Sequence, residues 1–136
     1  MENTTLIPIV AAVLFVAYGL YMALRKADSN NPQWQMPALL SVLFLLFSIY
    51  TVTMEGATGF AIEHTRNLWG NQITFDLLLA VGAALYFAIP RAKTLGMQPL
   101  FWLLLIASTG SIGLLAMLAR IVYLENKVGI KQAIEA

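Results

Sequence analysis

Four long apolar blocks alternate with polar connectors along this chain, at residues 6–24, 36–53, 73–89 and 99–123. A stretch of roughly 18 apolar residues is long enough to cross the ~30 Å hydrocarbon core of a bilayer as a helix. Blocks 6–24 and 36–53 hold no ionised side chain, so neither offers the polar face that a helix in water requires. The pattern predicts an all-α integral membrane protein, built as a single domain of four antiparallel transmembrane helices.

The connectors carry the turn and interface signals. The first, 25–35, contains Arg25, Lys26, Asp28, Asn30, Asn31 and Pro32, residue types that stop helices and favour turns. The third, 90–98, contains Pro90, Arg91, Lys93 and Gly96 and reads as a tight turn, with Pro99 suited to the first turn of the following helix. The second, 54–72, is longer than most links between bundle helices, and such loops are often functional or partly structured. Trp34, Trp69 and Trp102 each stand close to the start of an apolar block, where an indole finds both apolar contact and a partner for its N–H. Four spans place both termini on the side of the long connector. Arg25, Lys26, Arg91 and Lys93 then lie opposite Arg66, Lys127 and Lys131, with Arg120 at the edge of the fourth span. This narrow balance of four cations against three or four leans toward cytoplasmic short connectors and external termini.

Composition reinforces the solvent and narrows the chemistry. Of 136 residues, 60% are hydrophobic and 11% charged, and the mean hydropathy is +0.76, far from the balance of soluble domains. A net charge of +1 without a basic cluster gives no surface for nucleic acid. The absence of cysteine excludes disulfides, thiolate metal sites and cysteine nucleophiles. Residues 1–5 carry Glu2 and no Lys or Arg, so block 6–24 reads as a retained span and not a signal sequence.

Ionisable residues in or beside a span are the natural candidates for function. Glu55 follows the second block, Asp76 lies about one turn inside the third, and Arg120 about one turn before the end of the fourth. In four antiparallel spans these three form one charge layer, beneath a connector bearing Glu63, His64 and Arg66. Asp76 and Arg120 are expected to pair, because opposite charges at one depth relieve each other's desolvation. That layer serves either as a structural clasp or as a ligand site in which Arg120 holds an anionic or carbonyl group. Ser41, Ser48 and Glu55, spaced by seven with Thr51 between, share one helical face. Ser108, Thr109, Gly110 and Ser111 cluster within the fourth block, and Thr109 with Gly113, like Ala80 with Ala84, has the small-xxx-small spacing of packed membrane helices. No metal site is expected: His64 is the lone histidine, and no Glu-x-x-His pair is present. No catalytic or nucleotide-binding motif occurs, so no catalytic residue is assigned and no cofactor is implied.

The run Asn67-Leu68-Trp69-Gly70-Asn71-Gln72 leading into Asp76-Leu77-Leu78, with Arg120-Ile121-Val122-Tyr123-Leu124-Glu125 closing the last block, resembles a family of small bacterial four-helix membrane proteins. In that family an acidic residue opens one helix and an Arg-Glu element ends the next. The resemblance implies the architecture and a bacterial origin, but no activity, and the location expected is the bacterial inner membrane. Members often end the last span with a proline-containing segment, where this chain has Leu114-Leu115-Ala116-Met117. Small drug exporters share the length, yet they depend on an acid within the first helix, and residues 10–20 have none.

Taken together, the sequence predicts an accessory or structural subunit of a larger membrane complex, or a homo-oligomer. The alternative is a binding protein or carrier for a hydrophobic small molecule, such as a quinone, lipid or carotenoid. The partners expected are the lipid bilayer and other membrane subunits or copies of itself.

Overall fold

The computed structural model describes residues 3–24 and 33–135, with side chains for 6–24 and 33–129. Arg25 and Lys26 of the first connector, and the side chain of Lys131, lie outside the described residues. The chain divides into two compact units, Met1–Asn31 and Pro32–Ala136. Among the described residues it is all α, and three helical segments are long and apolar enough to cross a membrane: Leu6–Leu24, Gln35–Glu55 and Leu68–Thr94.

The first unit holds α1, Asn3–Leu24. Pro8 sits inside it, and every described side chain is exposed. A helix apolar all round has no face that water would select, which agrees with a lipid solvent.

Among its described residues the second unit contains five helices. The second connector is mostly helical. After α2, Gln35–Glu55, Gly56 at φ +85° turns the chain into α3, Gly59–Thr65. Asn67, in extended conformation, caps the next helix by accepting a hydrogen bond from the Gly70 N–H at 2.9 Å. That helix, α4, runs Leu68–Thr94 and so passes through Pro90, where a turn was expected. Proline removes one helix hydrogen bond, which polar or neighbouring groups near a helix end can offset. The turn comes later, at Gly96 (φ +71°). There the Met97 N–H bonds the Ala92 carbonyl at 2.9 Å and the Gly96 N–H bonds the Lys93 carbonyl at 3.1 Å, a Schellman closure.

The largest departure from expectation is in the fourth block. Segment 99–123 is not one helix. Gly110, at φ +61° and ψ −126°, divides it into α5, Pro99–Thr109, and α6, Ser111–Glu135. The two fold back on each other. Trp102 of α5 lines the same groove as Ala116 of α6, residues that a straight helix would hold about 21 Å apart. Gly113 makes this possible: a Cβ there would lie 3.0 Å from the Ile106 backbone. The broken ladder is satisfied locally. The Thr109 hydroxyl donates to the Leu105 carbonyl at 2.6 Å and accepts from the Gly113 N–H at 3.1 Å, while Ser41 Oγ of α2 donates to the Ile112 carbonyl at 2.9 Å.

Within this unit α6 lies antiparallel to α2, from the Trp34–Tyr123 edge contact (5.6 Å between centroids) to the Ser41–Ile112 bond. It runs alongside α4 in the same direction, since α5 reverses the chain once and the Gly110 turn reverses it again. Ala88, Ala92, Ile106, Met117 and Ile121 form the buried core where these helices meet. Arg91 of α4 grips Glu125 of α6 with two hydrogen bonds, at 2.9 and 2.7 Å. The C-terminal half of α6 therefore emerges beside the 95–98 turn, whereas four full spans would have sent it to the opposite end. So small a core leaves most large apolar side chains of the unit exposed, from Leu39 on α2 to Leu104 on α5. Surface of that extent marks contact with lipid or with other proteins.

Candidate functional site

The expected charge layer is split between the two ends of the second unit. Glu55 ends α2, at the end where α3 joins it to α4. There Glu55, Glu63 and His64 line one groove of about 340 Å³, together with Ser48, Thr51 and the rings of Phe44, Phe47 and Phe60. The shared face expected of Ser48, Thr51 and Glu55 is thus realised, but Ser41 is occupied with the Ile112 carbonyl.

Short-range geometry fixes the groups of this groove. His64 Nδ1–H donates to the Phe60 carbonyl at 2.7 Å, and the imidazole lies 4.0 Å from the Phe60 ring. That bond leaves Nε2 to deal with anything in the groove. Arg66 meets Glu63 at 3.3 Å; both are well exposed, and such a pair contributes little. Gly70 is buried because α4 starts directly against α3, where a Cβ would come within 2.5 Å of the Glu63 carbonyl oxygen. Glycine at this position holds the acid and the imidazole next to the helix start. An aromatic wall with a carboxylate and imidazole rim can hold a hydrophobic molecule with one polar end. Among the described residues no three His, Asp or Glu side chains gather as a metal ion would need.

Asp76 and Arg120 are not at one level. Asp76 is fifteen residues before Arg91 on α4, about 22 Å along the axis, while Arg120 is five residues before Glu125, about 7.5 Å. The Arg91–Glu125 contact aligns the two helices, so Asp76 and Arg120 are separated by about 15 Å along the bundle. Their expected pairing rested on a continuous antiparallel fourth helix, and the Gly110 turn removes that premise. Among the described residues the ion pairs are Arg66–Glu63 and Arg91–Glu125.

Each of the two has its own setting. Asp76 is exposed and about 140° around α4 from Val81, which packs toward the core with Leu85 and Ala88. Arg120 stands at the other end, its guanidinium 5.6 Å from the centre of the Tyr123 ring, on the rim of a groove of about 440 Å³. The sequence reading missed this groove and the Arg91–Glu125 clasp. The signal for the turn in the sequence is Gly110 among Ser and Thr, a signature that coincides with the small-residue spacing of a packing face.

Comparison with protein-family models, with curated proteins and with solved structures finds no match to this chain.

Proposed function

We propose that this is a small bacterial inner-membrane protein that acts by lateral association, as a subunit of a larger membrane complex or of a homo-oligomer. The observation that carries this reading is Asp76. A carboxylate about 12 Å from the start of a membrane-crossing helix, on the face turned away from its own unit's core, calls for a partner that can donate a hydrogen bond or a positive charge. Ala80 and Ala83 follow it on the same face and allow another helix to come close. The test is native mass spectrometry of the protein drawn from its own membranes in lipid nanodiscs. Stoichiometric partner masses, lost in Asp76→Leu, are the expected result; a lone wild-type protomer would refute the association.

In this reading α2 and α4 cross the bilayer, and α5 with α6 forms a re-entrant hairpin. At 11 residues α5 is about 16 Å long, half the hydrocarbon thickness, so Gly110 turns near the midplane. The end carrying the 95–98 turn then holds Arg91, Lys93, Arg120, Lys127 and Lys131 against Arg66 at the far end, and this imbalance favours a cytoplasmic location for it. The C-terminal part of α6 lies on the cytoplasmic side, in place of the external side expected from four spans.

A second reading is favoured by the Phe44–Phe47–Phe60 wall beside Glu55 and His64: a carrier for a hydrophobic small molecule with a polar end, such as a quinone. Gentle purification should then yield a reproducible small-molecule mass that Phe47→Ala and His64→Ala release. Its persistence in both variants would exclude this groove.

A further inference from the structure

The groove at the opposite end has a different chemistry. Its floor is apolar and shallow, formed by Ala38 of α2 and by Ala116 and Ala119 of α6. Its rim is aromatic, with Trp34, Trp102 and Tyr123, and carries one charge, Arg120. Trp34 meets Tyr123 edge to face, and the Arg120 guanidinium lies over the Tyr123 ring. The nearest acid along α6, Glu125, has both carboxylate oxygens engaged by Arg91. Among the described residues no acceptor or carboxylate engages Arg120, so its N–H donors face the groove uncommitted by the side chains that line it.

The level of the groove matters as much as its lining. Trp34 precedes the first residue of α2 and touches Tyr123, so the rim lies where the membrane-crossing helix begins. Indole and phenol rings concentrate at the headgroup level, and arginine reaches to it from within the span. Lys93 and Lys127 at this same end add positive potential, which enriches anionic lipid.

We propose that this groove is a binding site for an anionic glycerophospholipid. Arg120 takes two phosphate oxygens through its planar fork, the aromatic rim flanks the headgroup, and an acyl chain lies along the alanine floor. This inference rests on the membrane location but not on the association at Asp76, which is at the other end of the unit; either can fail without the other.

The test uses full-length protein, delipidated in detergent and titrated with phosphatidylglycerol, phosphatidylcholine or water-soluble glycerol phosphate, with bound lipid read by native mass spectrometry. Phosphatidylglycerol should bind in preference to phosphatidylcholine. Arg120→Gln should weaken it roughly tenfold or more, because a charge-assisted contact is lost. Ala116→Phe should weaken it by filling the floor with no change of charge, and Lys127→Gln should leave it within about twofold, as a screened exposed charge does. Equal losses in Lys127→Gln and Arg120→Gln would reduce the effect to general electrostatics and overturn the site. Equal affinity for glycerol phosphate would overturn the lipid assignment. A measurement on Trp69→Phe protein covers the case in which Arg120→Gln does not fold. Phosphatidylglycerol with brominated chains should quench Trp34 and Trp102 more than brominated phosphatidylcholine does, and equal quenching would refute the preference.

Discussion

At the scale of single residues, glycines decide this structure, and they do so for different reasons. Gly110 needs its backbone angles and not its lack of volume: a Cβ there would meet open space, but φ +61° with ψ −126° is scarcely accessible to any other residue. Gly113 is the reverse case, since an added Cβ would come within 3.0 Å of the Ile106 backbone. Gly110→Ala should therefore destabilise the protein by about 1–3 kcal/mol, and Gly113→Ala should destabilise it by prying the hairpin open. Gly82→Ala, in a helix interior with nothing near the new methyl, should be neutral or stabilising by up to about 1 kcal/mol. Unfolding followed by tryptophan fluorescence in detergent would rank the three. The residues themselves were legible as types. Glu55, Glu63 and His64 were expected near one another and do line one groove, because they are close in sequence and a single turn suffices to join them. Asp76 and Arg120 were not legible as separate sites, because their placement depends on one backbone angle at Gly110 that hydrophobic periodicity does not encode.

At the scale of elements, hydropathy marks where apolar chain begins and ends, but not whether it turns back in between. Leu6–Leu24, Gln35–Glu55 and Leu68–Thr94 contain the first three expected blocks. The fourth is apolar enough on average to pass for one span, yet it is a hairpin whose interior polar groups answer one another. Backbone groups freed in a bilayer must find partners, and Thr109 supplies both a donor and an acceptor at the turn. Its hydroxyl, together with Ser41, reads as helix-packing polarity when the segment is taken as straight. The extension of α4 through Pro90 has a related cause. The helix can continue for a further turn because Gly96, not the proline, provides the positive φ that a Schellman closure requires.

At the scale of the whole molecule, the odd number of reversals in the second unit sets which ends share a side. A chain without cysteine suits labelling, since every introduced thiol is unique. Lys93→Cys and Lys127→Cys should react with an impermeant maleimide from one side of sealed membranes, and Thr58→Cys from the other. Labelling of Lys127→Cys together with Thr58→Cys would restore a full fourth span. The Ser41–Ile112 hydrogen bond carries a further consequence, for biogenesis. Its donor precedes its acceptor by 71 positions, so the tip of the hairpin receives its partner from a helix made long before it leaves the ribosome. Neither α5, at 11 residues, nor α6 is among the helices long and apolar enough to cross a membrane by itself. In the membrane reading proposed above, the hairpin would settle only after α2 is seated, by a docking step that hydrophobicity alone does not drive.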